Sequence, residues 1–267
     1  MVKVGLVANS NPTGALKNVE ALLNNMGLDP QRAPFIDEWI DDHKKAKILN
    51  DMYEDQEIKM IFDVSGGDLA NGIIDYLDYT IIKNNPKPFF GYSDLTCVIN
   101  AIYTKTGNKS FLYQIRNIQD PKQYTDFKET ILNHQDNLFA FNYHFIQGDH
   151  LEGIAIGGNI RCLLKLAGTS YFPDMKDKIL FIESLGGESE RIYSYLVQLR
   201  MLGVFDEIAG IILGTFTMME RKDSQPDIED LIKRMTDKPI VRTYEIGHSV
   251  HSKALIIGGY YCLGNKE

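Results

Sequence analysis

Apolar and polar positions follow two different patterns along this 267-residue chain. In the first half, short apolar runs alternate with amphipathic stretches. "VKVGLVANS" (2–10) is a strand that ends in turn residues. "GALKNVEALLNNMG" (14–27) places its apolar residues at helical spacing and stops on Gly27. "DDHKKAKILNDMYED" (41–55) is a second helical segment. "IKMIFDVSGG" (58–67) is a continuous apolar run closed by Gly-Gly, as expected of a strand covered on both faces. "LANGIIDYLDYTIIKNNPK" (69–87) is helical and then turns; "PFFGYSD" (88–94) is a strand end, and "LTCVINAIYTKTG" (95–107) a helix closed by glycine. Strands and helices alternating at this spacing predict a parallel α/β sheet.

The pattern changes after the polar stretch 119–136, which reads as a helical tail and a boundary. "NLFAFNYHFIQGDHLEGIAIGG" (137–158) predicts two strands around a tight turn at "QGDH". "NIRCLLKLAGTSYF", "SERIYSYLVQLRMLG" and "IEDLIKRMTD" predict helices. "KDKILFIES", "EIAGIILGTF", "KPIVRTYEIGH" and a last strand "ALIIGGYYCLG" predict strands. The expected organisation is an N-terminal parallel-sheet α/β domain over 1–135 and a smaller mixed α/β domain over 136–267. No internal repeat or low-complexity segment interrupts it.

Composition narrows the function classes. The chain is 44% apolar and 24% charged, an ordinary globular balance, with a net charge of −8. No block of Lys and Arg forms a basic stripe, so a nucleic-acid partner is not expected. No apolar window reaches the length of a membrane span, and "MVKVGLVANSNPTG" lacks the apolar run of a leader, so a cytoplasmic protein is expected. Cys97, Cys162 and Cys262 are far apart and read as reduced, mostly buried thiols. No His-x3-His or His-Glu-x2-His pair occurs, so neither a metal site nor a cofactor is expected.

The chemistry concentrates at "PFFGYSDLT". A buried strand runs into Gly91 and then presents a hydroxyl and a carboxylate just before a helix. A serine on a sharp strand-to-helix turn stands clear of the sheet, with the helix N–H groups beside it. The second glycine of the G-x-S-x-G elbow is replaced by Leu95. Ser93 and Asp94 therefore read either as a helix cap or as a nucleophile with an adjacent N–H donor. Gly66-Gly67 ends another parallel strand, where ligands of open α/β sheets bind, and its N–H groups are approachable. Of six histidines, His43, His134, His144 and His150 read as surface or structural residues. His248 follows Gly247 at a strand end and is the candidate base, with His251 second. Glu183 ends the apolar strand "KILFIES", a candidate orienting acid.

Together, "YLDYTIIKNNPKPFFGYSDLT", "IAIGGNIRCLL", "KILFIESLGGESERI", "IAGIILGTF" and "IGHSVHSKALIIGG", in that order, resemble the LD-carboxypeptidase family of serine peptidases, also called muramoyltetrapeptide carboxypeptidases, which includes the microcin-immunity peptidases. The resemblance covers nearly the whole chain. It implies a Ser93, Glu183, His248 triad, with oxyanion donors in the N–H groups of Asp94 and Gly67. It also implies a flavodoxin- or amidotransferase-like N-terminal domain carrying the serine, a C-terminal domain supplying Glu183 and His248, a cleft between them, and a homodimer. The chain departs from the family where "VSGGDLAN" stands in place of an Arg-Gly-Gly-Tyr-Gly type stretch, and "FLYQIRN" in place of His-Gly-Pro. The implied activity is removal of a C-terminal D-amino acid from a peptidoglycan tetrapeptide. Arg116 and Arg191 are candidate partners for the substrate carboxylate. Two alternatives remain: hydrolysis of an aminoacyl-nucleotide antibiotic, for which Trp39 is not an obvious stacking residue, and a non-catalytic peptide-binding protein.

Overall fold

The computed structural model describes residues 1–14 and 16–264; Ala15, inside the first predicted helical segment, lies outside them. Five strands of the first half form a parallel array: β1 (Val2–Val7), β2 (Leu28–Arg32), β3 (Ile58–Asp63), β4 (Phe89–Gly91) and β5 (Ser110–Leu112), in the order β2-β1-β3-β4-β5. The continuous apolar runs of β1, β3 and β4 sit where helices cover both faces. The helices are bounded as their sequences suggest. Asp41 accepts the Lys44 N–H at 2.8 Å ahead of Asp42–Glu54. Asp120 caps Pro121–Asn133, with Pro121 in the first turn.

The second half builds another six-stranded sheet from β6 (His144–Gln147), β7 (His150–Asn159), β8 (Lys178–Ser184), β9 (Gly210–Phe216) and β10 (Ile240–Arg242), joined by a strand from the C-terminal segment. β7 to β10 are parallel. The predicted "QGDH" hairpin does not pair. β6 lies antiparallel to β10 at one end of the sheet, while β7 pairs β8 and the C-terminal strand. Turn chemistry at Gly148 reverses the chain, but β7 is a central strand with both edges taken. The predicted "KPIVRTYEIGH" strand shortens to β10, and from Thr243 onward that segment is loop.

The last predicted strand is two. β11 (Leu255–Ile257) runs antiparallel beside β5, as the outer strand of the first sheet. β12 (Tyr260–Gly264) returns to the second sheet against β7. Gly258 and Gly259 make the crossing. One apolar cluster also spans both sheets. Val98, Ile99 and Ile102 of the helix Thr96–Thr106 share it with Ala155, Ile179, Phe181 and Ile212. Each such buried Val, Ile or Phe side chain contributes about 1.5–3 kcal/mol, so the two halves meet through a core. Cys97 and Cys162 are buried, as most of the thiols were expected to be, and Cys262 is exposed on β12. Among the described residues, no helix is long and apolar enough to cross a membrane.

Candidate active site

β4 ends at Gly91, and the backbone then turns through a single 3-10 turn, Ser93–Leu95, into the helix Thr96–Thr106. The Leu95 N–H donates to the Tyr92 carbonyl at 3.0 Å, so the N–H groups of Ser93 and Asp94 lie at the open start of the turn. Ser93 itself has φ of +55°, a left-handed conformation that costs a non-glycine residue on the order of 1–3 kcal/mol. The surrounding strand and helix hold it there. Its hydroxyl does not cap the helix; it lies 3.0 Å from His248 Nε2.

His248 comes from the loop between β10 and β11. That loop is tied at several points: the Thr215 N–H donates to the Ile246 carbonyl at 2.9 Å, the Gly247 N–H to Ser252 Oγ at 3.1 Å, and the Lys253 N–H to the Glu245 carbonyl at 2.7 Å. Gly247 is required, because a Cβ there would sit 1.7 Å from Thr215 Oγ1. The other imidazole nitrogen, Nδ1, is 2.6 Å from Glu183 Oε2. Glu183 is fully buried near the end of β8. A buried carboxylate needs partners; the second oxygen accepts Asn159 Nδ2 at 2.9 Å. The Tyr92 ring packs 4.9 Å from the imidazole, and burial, reinforced by the Glu183 charge, holds its phenol well above the ordinary value. Ser93, His248 and Glu183 thus form one hydrogen-bonded line across the junction of the two sheets.

A cavity of about 300 Å³ opens in front of this line, and its walls include Gly66, Gly67, Ser93, Arg116, Leu185 and His248. Gly67 and the Ser93 turn therefore face one space. Gly67 has φ of +133°, and a Cβ would meet the Asn11 side chain at 2.3 Å, so the loop needs glycine there. Arg116 lines the cavity and reaches Thr13 Oγ1 at 3.4 Å. Arg191 lies exposed on the helix Ser189–Met201, packed beside Gly187, and is not among the residues lining the cavity. Trp39 is exposed and is not among them either. His251 is exposed, with Nδ1 3.6 Å from Asp120. His43 packs on Tyr76, His144 on Tyr244, and His134 ends a helix. His150, Glu152 and Cys262 bring metal-ligand atoms together on the exposed β7–β12 ladder, outside the cavity.

Sequence reasoning missed three residues here. Asn159, which orients Glu183, ends β7 in "IAIGGN", and its strand-end position is the one signal it gave. Arg161 and Lys165 reach from the second half to the Gly67 loop and to Asp94. Their sequence context is that of ordinary surface cations.

The LD-carboxypeptidase N-terminal domain profile matches residues 4–113, and the LD-carboxypeptidase C-terminal domain profile matches residues 152–263. A probable murein peptide carboxypeptidase of Bacillus subtilis is 27% identical over 286 aligned positions, spanning 99% of this chain and 89% of the relative. A second Bacillus subtilis relative, YocD, is 30% identical over 246 positions, 79% of this chain and 74% of its own length. The microcin C7 self-immunity protein of Escherichia coli is 25% identical over 251 positions, 80% of this chain and 74% of that protein. The crystal structure of a muramoyltetrapeptide carboxypeptidase from Oxalobacter formigenes superposes with a TM-score of 0.84 at 20% identity, covering 99% of this chain and 95% of that one. That likeness shows the shared two-domain α/β fold. The chain belongs to the LD-carboxypeptidase family of serine peptidases.

Proposed function

We propose that this chain is a serine carboxypeptidase that hydrolyses the amide bond to a C-terminal D-amino acid of a peptidoglycan tetrapeptide. The observation that carries the reading is the line Ser93 Oγ, His248, Glu183, with gaps of 3.0 and 2.6 Å across the two sheets. A serine hydroxyl is a weak nucleophile until a positioned base takes its proton. His248 Nε2 is within reach of that proton, and Glu183 holds Nδ1–H, fixing the tautomer and stabilising the imidazolium.

In this reading Ser93 Oγ attacks the carbonyl carbon while its proton moves to His248 Nε2. The oxyanion is met by the N–H groups of Gly67 and Asp94. The tetrahedral intermediate collapses, His248 protonates the leaving amine, and the D-amino acid departs. Water, deprotonated by His248, then attacks the acyl-enzyme and releases the tripeptide. Arg116 on the cavity wall supplies the cation for the substrate carboxylate. The nucleophile belongs to the domain over 1–135, and the base and acid to that over 136–267.

The test is incubation with muropeptide tetrapeptides, read by mass. Loss of one D-alanine is expected, together with fluorophosphonate labelling of Ser93. Unchanged tetrapeptide with cleavage of an aminoacyl-adenylate mimic would move the substrate to the class named for the microcin-immunity relatives. Neither cleavage nor labelling, with peptide binding kept, would make the chain a binding protein.

A further inference from the structure

The Asp94 carboxylate is fully buried, although its residue sits in the turn of the proposed nucleophile. It accepts four bonds from three segments. Oδ2 takes Ser10 Oγ at 2.7 Å and the Ala70 N–H at 2.8 Å. Oδ1 takes Lys165 Nζ at 2.6 Å and Cys162 Sγ at 3.5 Å. Lys165 and Cys162 belong to the second half of the chain, at and within the short helix Ile160–Leu164. Lys165 Nζ also donates to the Asp68 carbonyl at 2.8 Å. One helical turn earlier, Arg161 Nη2 donates to the Gly67 carbonyl at 3.1 Å, and Nη1 pairs with the Asp68 carboxylate.

The geometry matters because a peptide unit is planar. The Gly66 carbonyl accepts the Asn11 N–H at 3.3 Å, which aims the Gly67 N–H the opposite way. The next unit is held by Arg161 on the Gly67 carbonyl. A glycine with positive φ sits between two peptide units that could otherwise rotate cheaply. Pinning both carbonyls leaves its N–H one direction. Residue 94 is likewise fixed by the carboxylate it sends into the junction.

We propose that Arg161 and Lys165 are positioning residues, which from the C-terminal domain hold both oxyanion donors of the N-terminal domain. The hole is complete only when that helical turn is docked. Neither residue is among those lining the Ser93 cavity, so they act through Gly67 and Asp94 and not on substrate. The Arg161–Asp68 pair is substantially exposed, at 39% and 68%, so its contribution to stability is small. Its worth is in aim. The departure of "SGGD" from the family's Arg-Gly-Gly-Tyr-Gly pattern fits this: Asp68 provides the carboxylate that Arg161 grips. The proposal rests on the hydrolase reading given above.

The test uses the full chain and the variants Arg161→Met, Arg161→Lys and Lys165→Met, with folding checked by circular dichroism melts. Loss of a whole oxyanion donor costs on the order of 10²–10³ in turnover, so misaiming one is expected to lower kcat by about 10–100-fold. KM should stay within about twofold, and the rate of fluorophosphonate labelling should fall in step with kcat. Arg161→Lys should recover most of the loss. Folded Arg161→Met with wild-type kcat and labelling would overturn the proposal, as would a raised KM at unchanged kcat. Should Lys165→Met fail to fold, Arg161→Met, on a more exposed pair, still decides. A wild-type chain that neither labels nor hydrolyses would instead defeat the hydrolase reading, and this proposal with it.

Discussion

The two sides of the site are built differently. The nucleophile side is a strand end. β4 stops, the backbone enters a strained turn, and the helix Thr96–Thr106 anchors the far end of that turn. The backbone sets where the Ser93 hydroxyl starts, and the contact with His248 Nε2 fixes where it points. The base side is an assembly of reach: Glu183 stands at the end of β8, His248 on a tied loop, and Asn159 at the end of β7. No backbone strain is needed there, because hydrogen bonds orient the rings and carboxylates. The contrast separates two means of preorganisation. One side relies on backbone geometry, the other on a chain of side-chain partners, and substitutions should injure them differently.

Truncating either end of the proton path should do the most. Ser93→Ala and His248→Ala are each expected to lower kcat on a tetrapeptide by about 10⁶-fold, and the double variant little further, because such residues act as a unit. Steady-state assays of the three variants measure this, and additive losses would break the comparison. Glu183→Gln should cost about 10⁴-fold, since its amide would donate where Nδ1–H must donate. KM should barely change, so a loss confined to KM would remove Glu183 from its proposed role. Arg116→Ala is expected to raise KM about 10–100-fold at nearly constant kcat, with a smaller effect on an amidated substrate. Equal losses on both substrates would place Arg116 elsewhere than on the carboxylate.

The smallest effect concerns Asp63, which ties the loops after β1 and β3. It accepts the Asn9 N–H at 3.0 Å and Nδ2 at 2.8 Å, and the N–H and hydroxyl of Ser65. Burial outweighs these bonds and pushes its carboxyl up to about 6. The folded state therefore holds the proton more tightly than the unfolded chain between about pH 4 and 6. The stability this group lends is present at low pH and is lost as pH rises through 6, by roughly 3 kcal/mol at most. Urea unfolding of wild type and Asp63→Asn from pH 4.5 to 7.5 should show the wild-type margin over the variant shrinking as pH rises. A constant margin would refute it.

Much of this was legible in the chain. Apolar runs marked β1, β3, β4, β8 and β9, with glycine closing those of β3 and β4, and reactive residue types at strand ends marked Ser93 and Glu183. The rest failed for physical reasons. β2 is an edge strand, "LDPQR", with a proline and little apolar content. β5 has only three residues. The "QGDH" turn reverses the chain as its residues suggest, but which strands pair is decided by distant partners. Arg161 and Lys165 were illegible because helical spacing shows that two cations share a face, not what that face meets.

The short β11 carries one more consequence. The polypeptide leaves the second sheet after β10, delivers His248, stitches itself beside β5, and returns within two residues to lie along β7. Only Gly258 and Gly259 separate those two strands, so a swing of one sheet away from the other finds little slack at this crossing. The base therefore sits on the very segment that ties the two sheets together, and Leu185, Ser249 and Val250 line the cavity beside it.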